Sequence, residues 1–290
     1  MRVGFIGLGD QGGPMARMIA QNGHPLTVWA RRDTVSAAFA DLGAAVARSP
    51  AALASGCDLL CICVTNDSDV RSLLVDAGII DAMAEHAILA IHSTVSPNTC
   101  VDMAHLAISR GVTVLDLPVS GSGHAALDRK LLVLAGGEAQ SISQIMPVLE
   151  SYAGTIIRVG DVGTAMNAKL VNNLMAVVNI GQAYRALLLG RSLGVDPSAL
   201  RQALMAGTGR TFAIDLIRRL HVPARAKHVR QLLEKDVALA LSTMPAPERS
   251  YWMPLAETGL NALAVLMSGS DRVLPGADQA TGELVTDGTT

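Results

Sequence analysis

Eight short aliphatic or β-branched runs fall before Gly160 and no convincing one follows it, a break that leaves few architectures open. The runs are RVGFIG (2–7), PLTVW (25–29), AAVA (44–47), CDLLCICV (57–64), AILAIHS (87–93), VTVLDLP (112–118), LLVLAGG (131–137) and TIIRVG (155–160). Helix-prone stretches separate the early ones, such as GPMARMIAQNG, where Asn22-Gly23 supplies a C-terminal stop. Strands alternating with helices predict an α/β fold with a doubly wound, largely parallel sheet. From 162 to about 193 a single long helical pattern runs until Gly194 and Pro197 break it. Further helices are expected at about 197–206, 211–220, 228–244 and 249–267, and the polar tail 269–290 is expected to end loosely. The chain thus divides into an α/β domain, 1–161, and an all-α C-terminal domain, 162–290, that begins with the long interdomain helix.

Composition narrows the class. The 290 residues suit one large domain or two ordinary ones. Half of them are hydrophobic but only 3% aromatic, so the core must rest on Leu, Val, Ile, Ala and Met. A formal net charge of -2 leaves no basic stripe of the kind that binds nucleic acid. No uninterrupted apolar run approaches the roughly 18 residues of a membrane helix. MRVGFIGLG enters a strand without the layout of a signal peptide, so a soluble, cytoplasmic chain with no membrane partner is expected. Cys57, Cys61, Cys63 and Cys100 lack further Cys or His at ligand spacing, so no metal site is expected. In a strand Cys61 and Cys63 point to the same face, which suits a buried structural role.

The first run continues into Gly7-Leu8-Gly9-Asp10-Gln11-Gly12 and then a helix. In that setting the three glycines give a tight turn, a close backbone approach to a pyrophosphate, and close helix–sheet packing. The helix N-terminus adds free N–H groups and the positive end of its dipole. The α/β domain is therefore expected to be a Rossmann-type dinucleotide-binding domain. At the end of the second run, where an NAD site usually carries Asp or Glu, stand Ala30, Arg31 and Arg32. Two guanidiniums suit a 2′-phosphate, so NADP(H) is the expected cofactor. Asp33 lies slightly late for the ribose but leaves NAD(H) open. Val64, Thr65 and Asn66, after the fourth run, complete this cofactor-binding set.

Five blocks in order then resemble the β-hydroxyacid dehydrogenase family along nearly the whole chain. GLGDQGGPMA (7–16) is similar to its GLGxMGxPMA loop, with Gln11 in place of methionine. STVSP (93–97) resembles its cofactor-side turn, and DLPVSGSGHAA (116–126) its DAPVSGGxxGA substrate loop. GTAMNAKLVNN (163–173) resembles its catalytic GxxxKxxNN, and KDVALA (235–240) its KDxxLA. The resemblance implies that Lys169 is catalytic and that Ser120, Gly121 and Ser122 cradle a substrate carboxylate. It places Thr94 against the nicotinamide and has Lys235 reach the cofactor from the helical domain. It also implies at least a homodimer.

Helix geometry supports the first of these roles. Positions i, i+3 and i+4 share a face, so Lys169, Asn172 and Asn173 project together. A protonated lysine beside a carbonyl can hand over a proton as hydride arrives at carbon, and in reverse it removes the hydroxyl proton. Partial burial would lower its pKa towards working pH. Asn173 could hold the substrate hydroxyl or carboxylate without competing for the proton.

Three departures bear on the substrate. Ser122 replaces a glycine, Arg185 stands where many relatives carry glutamate, and HVPARAKHVRQ (221–231) lacks the aromatic PGF segment. That last stretch reads as a solvated basic loop; facing the cleft, it would favour a substrate with extra negative charge. The expected substrate is a small β-hydroxyacid or its aldehyde-acid partner. Two alternatives stay open, an imine reductase and a non-catalytic NADPH-binding regulator. The first usually lacks a lysine at position 169, and the second has no use for the Lys169–Asn173 pair.

Overall fold

The computed structural model describes residues 1–220 and 222–268, so the polar tail and His221 lie outside the described residues. The first elements are β1 (Val3–Ile6), α1 (Gly12–Gln21), β2 (Leu26–Trp29), α2 (Asp33–Ala37), β3 (Ala45–Val46), α3 (Pro50–Ala54), β4 (Leu59–Ile62), α4 (Asp67–Arg71) and α5 (Ile79–Ala82). Then come β5 (Ile88–Ile91), α6 (Pro97–Ile108), β6 (Thr113–Asp116), β7 (Val119–Ser120), α7 (Gly123–Leu127), β8 (Leu131–Gly136), α8 (Ala139–Leu149) and β9 (Ala153–Gly160). The rest is helical: α9 (Thr164–Ser192), α10 (Pro197–Ala206), α11 (Phe212–Arg219), α12 (Pro223–Thr243) and α13 (Ala246–Met267). The α/β-then-all-α order expected from the sequence is the order found.

The strands form one sheet in the order β3-β2-β1-β4-β5-β6-β8-β7, with β9 on β8. β1 to β6 are mutually parallel, while β8 runs antiparallel to both β6 and β7. β1, β4 and β5 are buried along their whole length, as strands covered on both faces must be. Alternate residues feed two cores. Phe5, Cys61 and Ala90 pack with Met15, Ile19 and Ile145 on one face. Ile6, Ile62 and Leu89 pack with Leu53 and Met103 on the other. From β1 the chain steps outward to β2 and β3, then returns to β4 on the other side. The strand order therefore reverses at β1, the position at whose carboxyl end sheets of this kind take their ligands.

Contacts divide the chain into two compact units, and the division falls within α9 between Val171 and Asn172. In the second unit Ile180, Leu187, Ile214, Ile217 and Leu263 form the main core. Here α9 and α13 meet backbone to backbone. A Cβ on Gly181 would stand 2.8 Å from the Gly259 nitrogen, and one on Gly259 would run into the Val177 carbonyl.

Two local expectations are corrected. The solvated loop expected across the basic stretch is instead the start of α12, whose first turn begins at Pro223 rather than at residue 228. Proline is well suited there, since its missing N–H would lack a helical partner anyway. Ala226 then packs into the helical core. β7 was not anticipated, because two residues carry no periodicity; it pairs Ser120 with Leu132.

His92, just past β5, is buried among ring neighbours. Its Nδ1–H donates to the Leu117 carbonyl at 2.7 Å, leaving Nε2 to accept from the Tyr152 hydroxyl at 3.3 Å. Phe5 stacks on it at 6.3 Å. Burial pushes the imidazole down to about 4, opposed only by the Leu117 bond. Between the ordinary value of 6.5 and about 4, the unfolded chain binds the proton that the folded chain refuses. Stability is then full above pH 6.5 and falls as pH drops, by about 3 kcal/mol at most. His92→Gln should show a shallower loss of thermal stability between pH 7 and pH 4.5 than the unaltered chain. Parallel losses would remove His92 as the source.

Candidate active site

The turn after β1 is built for close approach. Gly7 has φ of 95°, and a Cβ there would run into the Cys63 carbonyl; a Cβ on Gly12 would run into the Gly7 carbonyl. Gly9 differs, because a Cβ on it would meet nothing within 4 Å. A side chain at that position would fill the space where a pyrophosphate fits. Gly9 and Asp10 are exposed, with Leu8 and Gln11 partly so. Gln11 precedes α1 without capping it, and the first turn carries no acid. The helix dipole and its amides thus face outward without side-chain competition. These residues fit a dinucleotide phosphate.

The flanking loops hold the remaining cofactor-side candidates. Ala30 follows β2, and Arg31 and Arg32 beyond it are exposed. Arg31 Nη1 lies 3.9 Å from Asp69 Oδ1, while Arg32 precedes α2 and Asp33 opens it. Past β4, the Val64 N–H donates to Ser93 Oγ at 2.8 Å, joining the ends of β4 and β5. Thr65 is exposed. Asn66 caps α4, accepting from the Asp69 N–H at 2.8 Å. Thr94 is half-buried in the turn after β5. Asp67 ties that turn to α4, since its Oδ1 accepts from the Ser96 N–H at 2.8 Å and from Thr99 Oγ1 at 2.6 Å.

The loop 120–122 adjoins the glycine turn. Ser120 ends β7, Gly121 has φ of 125°, and Ser122 leads extended into α7 without capping it. Gly123 then lies so close to the Asp10 carbonyl that a Cβ would collide with it, with Pro14 Cγ at 2.9 Å. The expected carboxylate cradle and the expected phosphate turn are thus in backbone contact.

A buried carboxylate aims the lysine. Asp116, fully buried at the end of β6, accepts from the Gly163 N–H at 2.9 Å through Oδ1 and from the Met166 N–H at 2.8 Å through Oδ2. Its pKa is pushed up by burial, against the pull of these backbone bonds. Lys169 stands one turn past Met166, and only 7% of it is exposed. On the next turn Asn173, at 8% exposure, accepts from Asn172 Nδ2 at 3.1 Å. Its own Nδ2 donates to Asp236 Oδ2 at 2.6 Å. The other Asp236 oxygen lies 2.9 Å from Lys235 Nζ. Asn173 and Lys235, two expected site residues, therefore converge on one carboxylate.

A cavity of about 330 Å³ between Tyr184, Arg185, Thr258 and Asn261 contains none of the expected residues. Arg185 is 16 residues beyond Lys169, about 24 Å along the helix. No group of His, Cys, Asp and Glu among the described residues could hold a metal. Burial pushes the Cys57 thiol up to about 11 and Cys63 to about 12, which keeps both protonated at neutral pH.

Residues 2–160 match the family described as the NAD binding domain of 6-phosphogluconate dehydrogenase. Residues 163–272 match the NAD-binding domain of NADP-dependent 3-hydroxyisobutyrate dehydrogenase. The chain belongs to the β-hydroxyacid dehydrogenase family. It is similar to 3-hydroxyisobutyrate dehydrogenase of Pseudomonas aeruginosa, at 30% identity over 90% of this chain and 89% of that one. It also resembles the solved structure of Mycobacterium tuberculosis 3-hydroxyisobutyrate dehydrogenase with L-serine. That likeness has a TM-score of 0.77 and 26% identity, and covers 92% of this chain and 99% of that one. An imine reductase of Streptomyces aurantiacus shares the fold, with a TM-score of 0.65 at 20% identity over 92% of this chain and 99% of that one.

In this NAD(P)-dependent dehydrogenase, sequence reasoning missed three carboxylates that bond to the expected residues or to their loops. Asp236 and Asp116 stand in plain view within KDVALA and DLPVSGSG, but their partners are 63 and 47–50 residues away. Asp67 had a weak signal, an acid just after a helix-capping asparagine. Removing the Asp116 carboxylate would strand two buried N–H groups, at about 1–3 kcal/mol each. Asp116→Ala should therefore lower unfolding free energy by about 2–5 kcal/mol in a denaturant titration. Asp116→Asn, which keeps one acceptor, should cost less. Losses under about 1 kcal/mol for both would show that the carboxylate does not secure α9.

Proposed function

We propose that this dehydrogenase moves hydride between NADP(H) and a small β-hydroxyacid or its aldehyde-acid partner, with Lys169 as general acid and base. The placement of Lys169 carries the reading. It is a buried ammonium-bearing side chain one turn beyond an anchored helix start, on the face that also carries Asn173. Bound nicotinamide supplies or accepts the hydride. Lys169 donates a proton to the carbonyl oxygen during reduction and withdraws it from the hydroxyl during oxidation. Ser120, Gly121 and Ser122 offer hydroxyls and backbone N–H groups to a carboxylate. Asn173, its amide oriented by Asp236, holds the substrate hydroxyl, and Lys235 serves the cofactor.

A turnover screen with both cofactors over C3 and C4 hydroxyacids and semialdehydes tests the assignment. Turnover of a cyclic imine in place of these acids would overturn it. Lys169→Ala should lower kcat by at least about 10²-fold with cofactor affinity little changed. Near-normal turnover in that variant removes the lysine from the chemistry.

The NADPH preference rests on Ala30-Arg31-Arg32, where no acid meets a ribose diol. A guanidinium opposite a 2′-phosphate gains charge-assisted bonds of about 1.5–3 kcal/mol each. One or two of them predict about 10- to 10³-fold higher kcat/KM with NADPH than with NADH. Equal use of both cofactors, or preference for NADH, would contradict it.

A further inference from the structure

Arg31 follows β2 and Asp69 follows β4, and these strands are the two neighbours of β1. The pair at 3.9 Å therefore reaches across the carboxyl end of β1, where the glycine turn begins. The two partners are unequal. Arg31 is 80% exposed, whereas Asp69 is 26% exposed and held in the first turn of a helix capped by Asn66. The carboxylate is the enclosed member, on a capped helix, and the guanidinium the solvent-exposed one. We infer that Asp69 is a specificity-determining residue that competes with the cofactor 2′-phosphate for Arg31, and so moderates the preference for NADPH over NADH.

The physical argument has two parts, and it rests on Arg31 being the 2′-phosphate ligand. A 2′-phosphate bears nearly two negative charges and needs the same N–H donors that face Asp69. Binding it means exchanging one ion pair for another beside a carboxylate that stays in place. A neutral 2′-hydroxyl needs no such exchange. An exposed pair of this geometry contributes little, and the carboxylate's remaining repulsion of the phosphate adds to it. The effect is a tuning of selectivity rather than its source.

Asp69→Asn keeps the side-chain shape, and the Asn66 cap bonds the backbone N–H of residue 69, which the substitution leaves in place. Dissociation constants for NADPH and NADH, read from nicotinamide fluorescence at low ionic strength, need no substrate. They are compared in the unaltered chain, Asp69→Asn, Arg31→Ala and the double variant. Asp69→Asn should tighten NADPH about 3- to 10-fold while NADH moves less than about 2-fold, and in the Arg31→Ala background, where only the repulsion is relieved, the gain should be at least about 2-fold smaller. If Arg31→Ala abolishes NADPH selectivity but Asp69→Asn leaves it unchanged, Asp69 is no competitor and the Arg31 assignment stands. If Arg31→Ala leaves selectivity intact, both fall. An undiminished gain in the double variant overturns the exchange, because Asp69 would then act without Arg31.

Discussion

The first unit turns on one carboxylate. A long helix begins with N–H groups that have no partner of their own, and here Gly163, Ala165 and Met166 at the start of α9 are buried. Asp116 satisfies two of them from the end of β6. The same strand leads through Leu117 and Pro118 to Ser120, so β6 governs two things at once. It sets where the serine loop emerges, and it sets the height and rotation of the helix that presents Lys169. Burial opposes the charged form of Asp116, so the site carries an electrostatic cost in exchange for a fixed lysine.

The second unit repeats this logic with a different charge balance. Asp236 is buried and faces a primary amide on one oxygen and an ammonium on the other. An isolated carboxylate there would be expensive; paired in this way it defines the orientation of the Asn173 amide. A carboxamide can present either its oxygen or its N–H₂ to a substrate, and a hydrogen-bonded anion chooses for it. Lys235, whose resemblance-based role is toward the cofactor, is in ion-pair contact with that same anion.

What the sequence disclosed followed the range over which each signal acts. Strand runs, the glycine turn and α9 are written in neighbouring residues, and all three were legible to within a few positions. The glycine turn was clearest, because Gly7 and Gly12 have no space for a side chain and the sequence must say so. β7 was invisible because it exists only through β8. The basic run is solvated as expected, with Arg225, Lys227 and His228 exposed, but it is helix rather than loop, because Pro223 starts the turn and Ala226 packs inward. Spacing could put Lys169 and Asn173 on one helix face, and the family resemblance nominated them for the site. Asp116 and Asp236 could not be given their roles, since hydrogen bonds between distant segments leave no local pattern.

The contact between Gly123 and the Asp10 carbonyl has a further consequence. With no side chain between them, the glycine turn and the loop leading into α7 pack backbone against backbone. A larger residue at 123 would have to displace the Asp10 carbonyl, so the two loops can change shape only together.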